Sequence, residues 1–171
     1  MDIEILVKKS KQGDKEALIQ LIMAEKTDFY KLAYLYMKNE EDALDALQDT
    51  IIILYENINK LRNHGAFYSW SKTILVNRCK KLLREKKKIV SLTSVKEEPY
   101  EEGFDRKNEQ IILEKHLSYL KEKYQEVIKL RYFLDLDNET ISKMLNIPVG
   151  TVKSRIFNGI KKLKESLRGE E

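Results

Sequence analysis

The stretch from Asn138 to Lys164, NETISKMLNIPVGTVKSRIFNGIKKLK, restricts the fold more than any other, because it spells two short amphipathic helices around a tight turn. Ile141, Met144 and Leu145 supply one apolar face, Asn146, Ile147 and Pro148 interrupt it, and a stripe of Val152, Ile156, Ile160, Leu163 and Leu167 follows. Ser142 is small enough for the second helix to approach the first, and Pro148 ends one helix where the next begins. On the other side of the second helix Thr151, Ser154, Arg155, Asn158, Lys161 and Lys162 recur three or four apart, with Lys153 beside them. That combination suits a DNA major groove: cations and first-turn N–H groups hold phosphates, while Arg155 and Asn158 offer bidentate groups to base edges. A solvated face on an ordinary helical hairpin is the plain alternative. The agreement of turn, small residue and polar face favours DNA. Gly159 costs such a helix about 1 kcal/mol relative to Ala, which predicts fraying beyond Asn158.

The rest of the chain reads as helical. It holds 42% hydrophobic residues but only six Gly and two Pro among 171, enough apolar surface for one or two small cores and no alternating strand pattern. The net charge is +4, unevenly spread. Asn77 to Lys88 carries seven Lys or Arg against Glu85, and Gly150 to Arg168 carries six against Glu165, on an otherwise acidic chain. Two separate basic patches suit contact with a polyanion at two places. Cys79 is the single cysteine and reads as a small core residue, which excludes an internal disulfide. His64 and His116 lack ligand spacing around them, so neither a metal nor another cofactor is expected. There is no apolar span or signal peptide, and the expected location is cytoplasmic.

Along the chain, Asp14 caps a helix from Lys15 that runs to Tyr36 with a break near Glu25 to Asp28. A second helix is expected from Glu40 to Leu61, with a packed seam of Leu44, Leu47, Ile51, Leu54, Ile58 and Leu61. Asp45, Gln48 and Asp49 fall off that seam, and on the residues alone they read as a solvated face. A polar turn at Asn63, His64 and Gly65 precedes a third helix, whose buried face is expected to hold Phe67, Trp70, Ile74 and Leu82. Trp70 reads as core rather than as a stacking platform. The other side, with Lys72, Asn77, Arg78, Lys81 and Arg84, is a candidate polyanion surface. Periodicity stops between Ile89 and Asn108, where Pro99, Gly103 and several acidic residues mark a flexible linker. Two further helices, around Ile112 to Leu120 and Val127 to Leu130, frame the helix-turn-helix. The expected architecture is all-α: one domain over 1–88, a linker over 89–108 and a four-helix domain over 109–171.

The run IPVGTVKSRI resembles the DNA-reading helix of the sigma-70 family of bacterial transcription initiation factors, and DALDALQDTI resembles that family's helix for docking on core RNA polymerase. The order of both domains and the linker resembles the compact extracytoplasmic-function (ECF) subfamily. The resemblance turns Asp45, Gln48 and Asp49 from a solvated face into a docking face for a coiled coil of the polymerase β′ subunit. It implies that the segment from Asn63 to Arg84 reads a melted minus-10 element, with a flipped base received at Asn63, His64 and Gly65. The helix-turn-helix would read the minus-35 element, the β flap would be a further polymerase contact, and the linker would thread the RNA exit path. It also implies control by an anti-sigma factor, at the membrane where that factor is anchored there. The chain departs from the family pattern at Ser71, usually apolar, at Lys81, commonly Asp, and at Asn158 and Gly159, often Arg and Ala. No nucleotide loop, nucleophile constellation or acid pair suggests an enzyme, and no small-molecule substrate is implied. The alternative is a one-component regulator that reads a palindrome as a dimer.

Overall fold

The computed structural model describes residues 1–93 and 108–169, and no strand occurs among them. The helices are α1 (Ile3–Lys11), α2 (Lys15–Ala24), α3 (Lys26–Met37), α4 (Glu40–Asn57), α5 (Phe67–Thr93), α6 (Asn108–Ser118), α7 (Glu122–Ile128), α8 (Asn138–Leu145) and α9 (Val149–Arg168). They divide into two units, one carried chiefly by α1 to α5 and the other chiefly by α6 to α9.

Helix α1 lies ahead of the first helix expected from the sequence. Asp2 starts it by accepting from the backbone N–H of Glu4 and Ile5. Leu6 and Val7 enter the core, and the Ser10 hydroxyl satisfies itself on the Leu6 carbonyl at 2.8 Å. Asp14 caps α2 as expected. The anticipated break falls at Glu25, whose backbone leaves the helical region between α2 and α3. Lys38 then turns the chain in the left-handed conformation (φ 64°), and Asn39 caps α4 by accepting from the Asp42 N–H at 2.8 Å. Leu18, Leu21, Leu54, Ile58, Leu61 and Phe67 close a core with α1, each worth about 1.5–3 kcal/mol on full burial.

Two expected faces are corrected. On α4 the buried stripe is Ala43, Ala46, Thr50 and Leu54, whereas Leu44 and Ile51 of the expected seam are exposed and Leu47 is half-buried. Small residues win here because α3 packs along α4, and alanines permit the closer approach. Thr50 turns its hydroxyl onto the Ala46 carbonyl at 2.7 Å. The regular helix ends at Asn57, and a 3-10 turn over Ile58–Lys60 carries the last two seam residues inward. On α5 the buried positions are Phe67, Ser71, Leu75, Val76 and Cys79, while Trp70, Ile74 and Leu82 are half-buried. Trp70 packs against the core at 6.2 Å from the Phe67 ring, and buried Ser71 bonds the Tyr68 carbonyl at 3.1 Å. Helix α5 also continues past the expected boundary at Lys88 to Thr93; of the expected linker, residues 94–107 lie outside the described residues.

In the second unit α7 passes into a π-helical turn over Lys129–Phe133, and Asp137 caps α8 by accepting from the Thr140 N–H at 2.7 Å. Pro148 stands immediately before α9 as expected. Ser142 spans the turn, donating to the Ile147 carbonyl at 2.5 Å, while Asn146 takes φ 53°. The stripe of α9 faces inward, with Val152 fully buried and Ile156, Ile160, Leu163 and Leu167 half-buried. The predicted fraying does not occur: α9 is continuous through Gly159 to Arg168. Gly159 is buried against α7, which fixes the helix by tertiary packing where its propensity is weakest. Buried His116 meets Ser166 Oγ at 2.6 Å and so ties α6 to α9.

Candidate nucleic-acid and partner interfaces

Helices α4 and α5 run antiparallel, and their facing edges are joined by ion pairs. Asp49 accepts from Arg78 through both Nε (2.8 Å) and Nη2 (2.6 Å), and Asp42 pairs with Lys86. Burial pushes the Asp42 carboxyl up, but hydrogen bonds from Asn39 and Lys86 outweigh it and hold it below the usual carboxylate range. Two expected sites therefore meet at one seam, since Asp49 belongs to the acidic set on α4 and Arg78 to the basic set on α5.

The outward side of α4 carries Asp45 and Gln48, both exposed, whereas Asp49 sits at the α5 edge. Leu44, Ile51, Ile52 and Tyr55 are exposed around them, between 39% and 56%. Helical geometry places Asp45, Gln48 and these four on one face, centred on Gln48. Sequence reading missed the apolar members because a strict three-four seam and a neighbouring alanine stripe overlap in this helix. The alanines at 43 and 46, with Thr50 in the same register, were the available signal. Lys15 places its ammonium 5.3 Å from the centre of the Tyr55 ring.

On α5, Asn77, Lys81 and Arg84 are exposed on the side away from the core, and Arg78 is half-buried. Lys72 is placed differently. Its Nζ lies 2.8 Å from Glu25 and near the Phe29 and Tyr68 rings, and its side chain is only 13% exposed. The Tyr68 hydroxyl donates to the Leu21 carbonyl, and burial raises its pKa. Lys72 therefore serves the joint of α2, α3 and α5 more than the outer face. Before α5, Asn63 caps a short turn over His64–Ala66 by accepting from the Gly65 N–H at 3.1 Å; Asn63 is exposed and His64 half-buried. Helix α1 packs against this turn, and Lys11 donates to the Leu61 carbonyl just before it.

On α9, Lys153, Ser154, Asn158, Lys161 and Lys162 are exposed, while Thr151 and Arg155 border the apolar stripe and are half-buried. Phe157, absent from the expected set, is 71% exposed. Its signal was an aromatic out of register with the stripe. Among the described residues there is no cluster of potential metal ligands, and no helix is long and apolar enough to cross a membrane.

Comparison with known proteins points to one family. The family model for Sigma-70 region 2 covers residues 21–89, and that for Sigma-70 region 4 covers residues 110–163. The RNA polymerase sigma factor SigV of Bacillus subtilis is 33% identical, over 95% of this chain and 98% of its own. The ECF RNA polymerase sigma factor SigW of the same organism is 29% identical, over 98% of each. Among solved structures, the sigma factor RpoE of Bartonella quintana, in complex with the anti-sigma factor NepR, shares the fold with a TM-score of 0.66 at 21% identity, over 89% of this chain and 97% of its own. With its two matched regions in order and near-full-length relatives of one kind, the chain belongs to the ECF subfamily of the sigma-70 family of RNA polymerase sigma factors.

Proposed function

We propose that this chain binds core RNA polymerase as a single copy and directs it to promoters defined by minus-10 and minus-35 elements, without enzymatic chemistry of its own. The observation that carries this reading is the division of labour among distinct surfaces: a mixed acidic and apolar face on α4, a basic face on α5 and an exposed polar face on a helix-turn-helix. The α4 face around Gln48 is the docking surface for the β′ coiled coil. Asp45 and Gln48 give it register, and Leu44, Ile51, Ile52 and Tyr55 supply apolar area; Asp49 lies at its margin. Asn77, Arg78, Lys81 and Arg84 track the minus-10 strand, and the turn at Asn63 and His64 receives an unstacked base. Helix α9 enters the major groove at minus-35. The second unit also contacts the β flap.

A relative solved in complex with an anti-sigma factor supports regulation of the same type here. The working compartment is that of the polymerase, the cytoplasm, with retention at the membrane where the anti-sigma factor is anchored there. The dimeric regulator loses ground because residues 21–89 match the Sigma-70 region 2 family in place of a sensing domain. Light scattering tests the stoichiometry: a monomer alone and one copy per core polymerase support the proposal, whereas a stable dimer with no affinity for core enzyme contradicts it.

A further inference from the structure

Arg78 stands on the face assigned to DNA and is at the same time held by a carboxylate of α4. A single Asp49 oxygen accepts both its Nε–H and one Nη2–H, at 2.8 and 2.6 Å, with the two side chains 22% and 39% exposed. A guanidinium has five N–H donors, so three remain, two of them side by side on the Nη1–Nη2 edge that Asp49 does not occupy. The pairing has two consequences that pull in opposite directions. It compensates much of the positive charge, which weakens the attraction for phosphate and the release of counterions that drives non-specific binding. It also fixes the plane and rotamer of the fork, which is what hydrogen bonding to a base edge requires. Lys81 and Arg84, exposed further along the same helix, suit phosphates.

From this geometry we infer that Asp49 is a positioning residue that makes Arg78 a specificity-determining reader of a minus-10 base rather than a phosphate clamp. The inference rests on the reading of α5 as the minus-10 surface. The matching base presents two acceptors along one edge, as guanine does through O6 and N7. Asp49→Asn would keep the shape but return a full, loosely held charge to Arg78. Arg78→Lys would keep the charge but lose the fork.

The test uses holoenzyme with core polymerase saturating for each variant, so that altered docking does not enter. It is challenged with forked promoter DNA randomised across the minus-10 element over a salt series. Asp49→Asn should lower enrichment of the preferred base at one or two positions about tenfold, raise affinity for scrambled sequence several-fold, and steepen the logarithmic salt slope by roughly 0.7, the increment for one more phosphate on a single strand. Arg78→Lys should also lose the enrichment, while Asp49→Glu should retain most of it, which guards against a variant that merely unfolds. Unchanged enrichment in Asp49→Asn, or a uniform loss across all sequences with an unchanged slope, overturns the inference. Lys81→Ala with Arg84→Ala should weaken every sequence alike; if it weakens none, the DNA reading of this face fails, and the inference with it.

Discussion

Gly159 and Ile128 are in such close approach that a β-carbon on Gly159 would stand 2.8 Å from Ile128 Cδ1 and 3.1 Å from Tyr124 Cβ. Helix propensity alone would favour Gly159→Ala by about 1 kcal/mol. Overpacking against α7 costs about 1–3 kcal/mol, and the Tyr124 Cβ, fixed to its backbone, cannot swing aside as the Ile128 tip can. Gly159→Ala should therefore lower stability by about 1 kcal/mol net, and Gly159→Val by more. Urea unfolding followed by circular dichroism checks the sign: stabilisation by Ala would mean that α7 yields to the added methyl at little cost.

The α4 face permits a clean separation of docking from folding. Asp45 and Ile52 are exposed, so Asp45→Lys with Ile52→Glu should leave helicity intact and weaken binding to core polymerase at least tenfold, the scale of a lost interface anchor. Affinity measured by fluorescence titration, beside a thermal melt, decides it. Unchanged affinity would move the docking surface elsewhere.

Cys79 is fully buried, and burial pushes its thiol up to about 12. At pH 8 the folded protein should therefore resist thiol reagents, and labelling should follow unfolding. A raised pKa contributes stability that is complete below the unfolded value near 9 and is lost as pH rises toward 12. Burial raises Tyr68 as well, and its contribution is lost in the alkaline range above its ordinary value of 10. Cys79→Ala should flatten the alkaline loss of stability above pH 9 without removing it. Rapid labelling of the folded protein at pH 8 would show that the core opens more readily than its packing implies.

What could be read from the chain and what could not divide along physical lines. Caps and breakers were legible: Asp14, the interruption at Glu25 and Pro148 before α9 act locally, and the structure places them at those boundaries. The α9 stripe was legible because it is the only long apolar register in that helix. The α4 face was not, since leucine and isoleucine outweigh alanine by hydrophobicity although close packing prefers the alanines. Helix α1 could have been found from Asp2 and the spacing of Ile3, Leu6, Val7 and Ser10, but its mixture with lysines weakens the pattern. Pairings such as Asp49 with Arg78 and Lys72 with Glu25 join residues far apart in sequence, so only the fold reveals them as partners.

The outer face of α9 makes a prediction of its own. Phe157 is solvent-exposed beside Ser154 and Asn158, and an exposed ring there suits a thymine methyl in the major groove. Phe157→Ala should cost about 1 kcal/mol at the preferred minus-35 sequence and relax preference at a thymine, without altering the salt slope. Lys161→Ala should weaken all sequences and flatten the slope by roughly one unit. Arg155→Ala should cost about 1–3 kcal/mol at a guanine. A minus-35 substitution series transcribed at several salt concentrations distinguishes them; equal effects of Phe157→Ala on every promoter would deny it a reading role.

Run-off transcription by purified core polymerase, with and without this protein, tests the central claim most directly. The account predicts specific transcripts from a subset of promoters only when the protein is present, and their loss when Asp45→Lys with Ile52→Glu is used in its place. Binding of promoter DNA as a dimer, with no transcript gained from core polymerase, would contradict it.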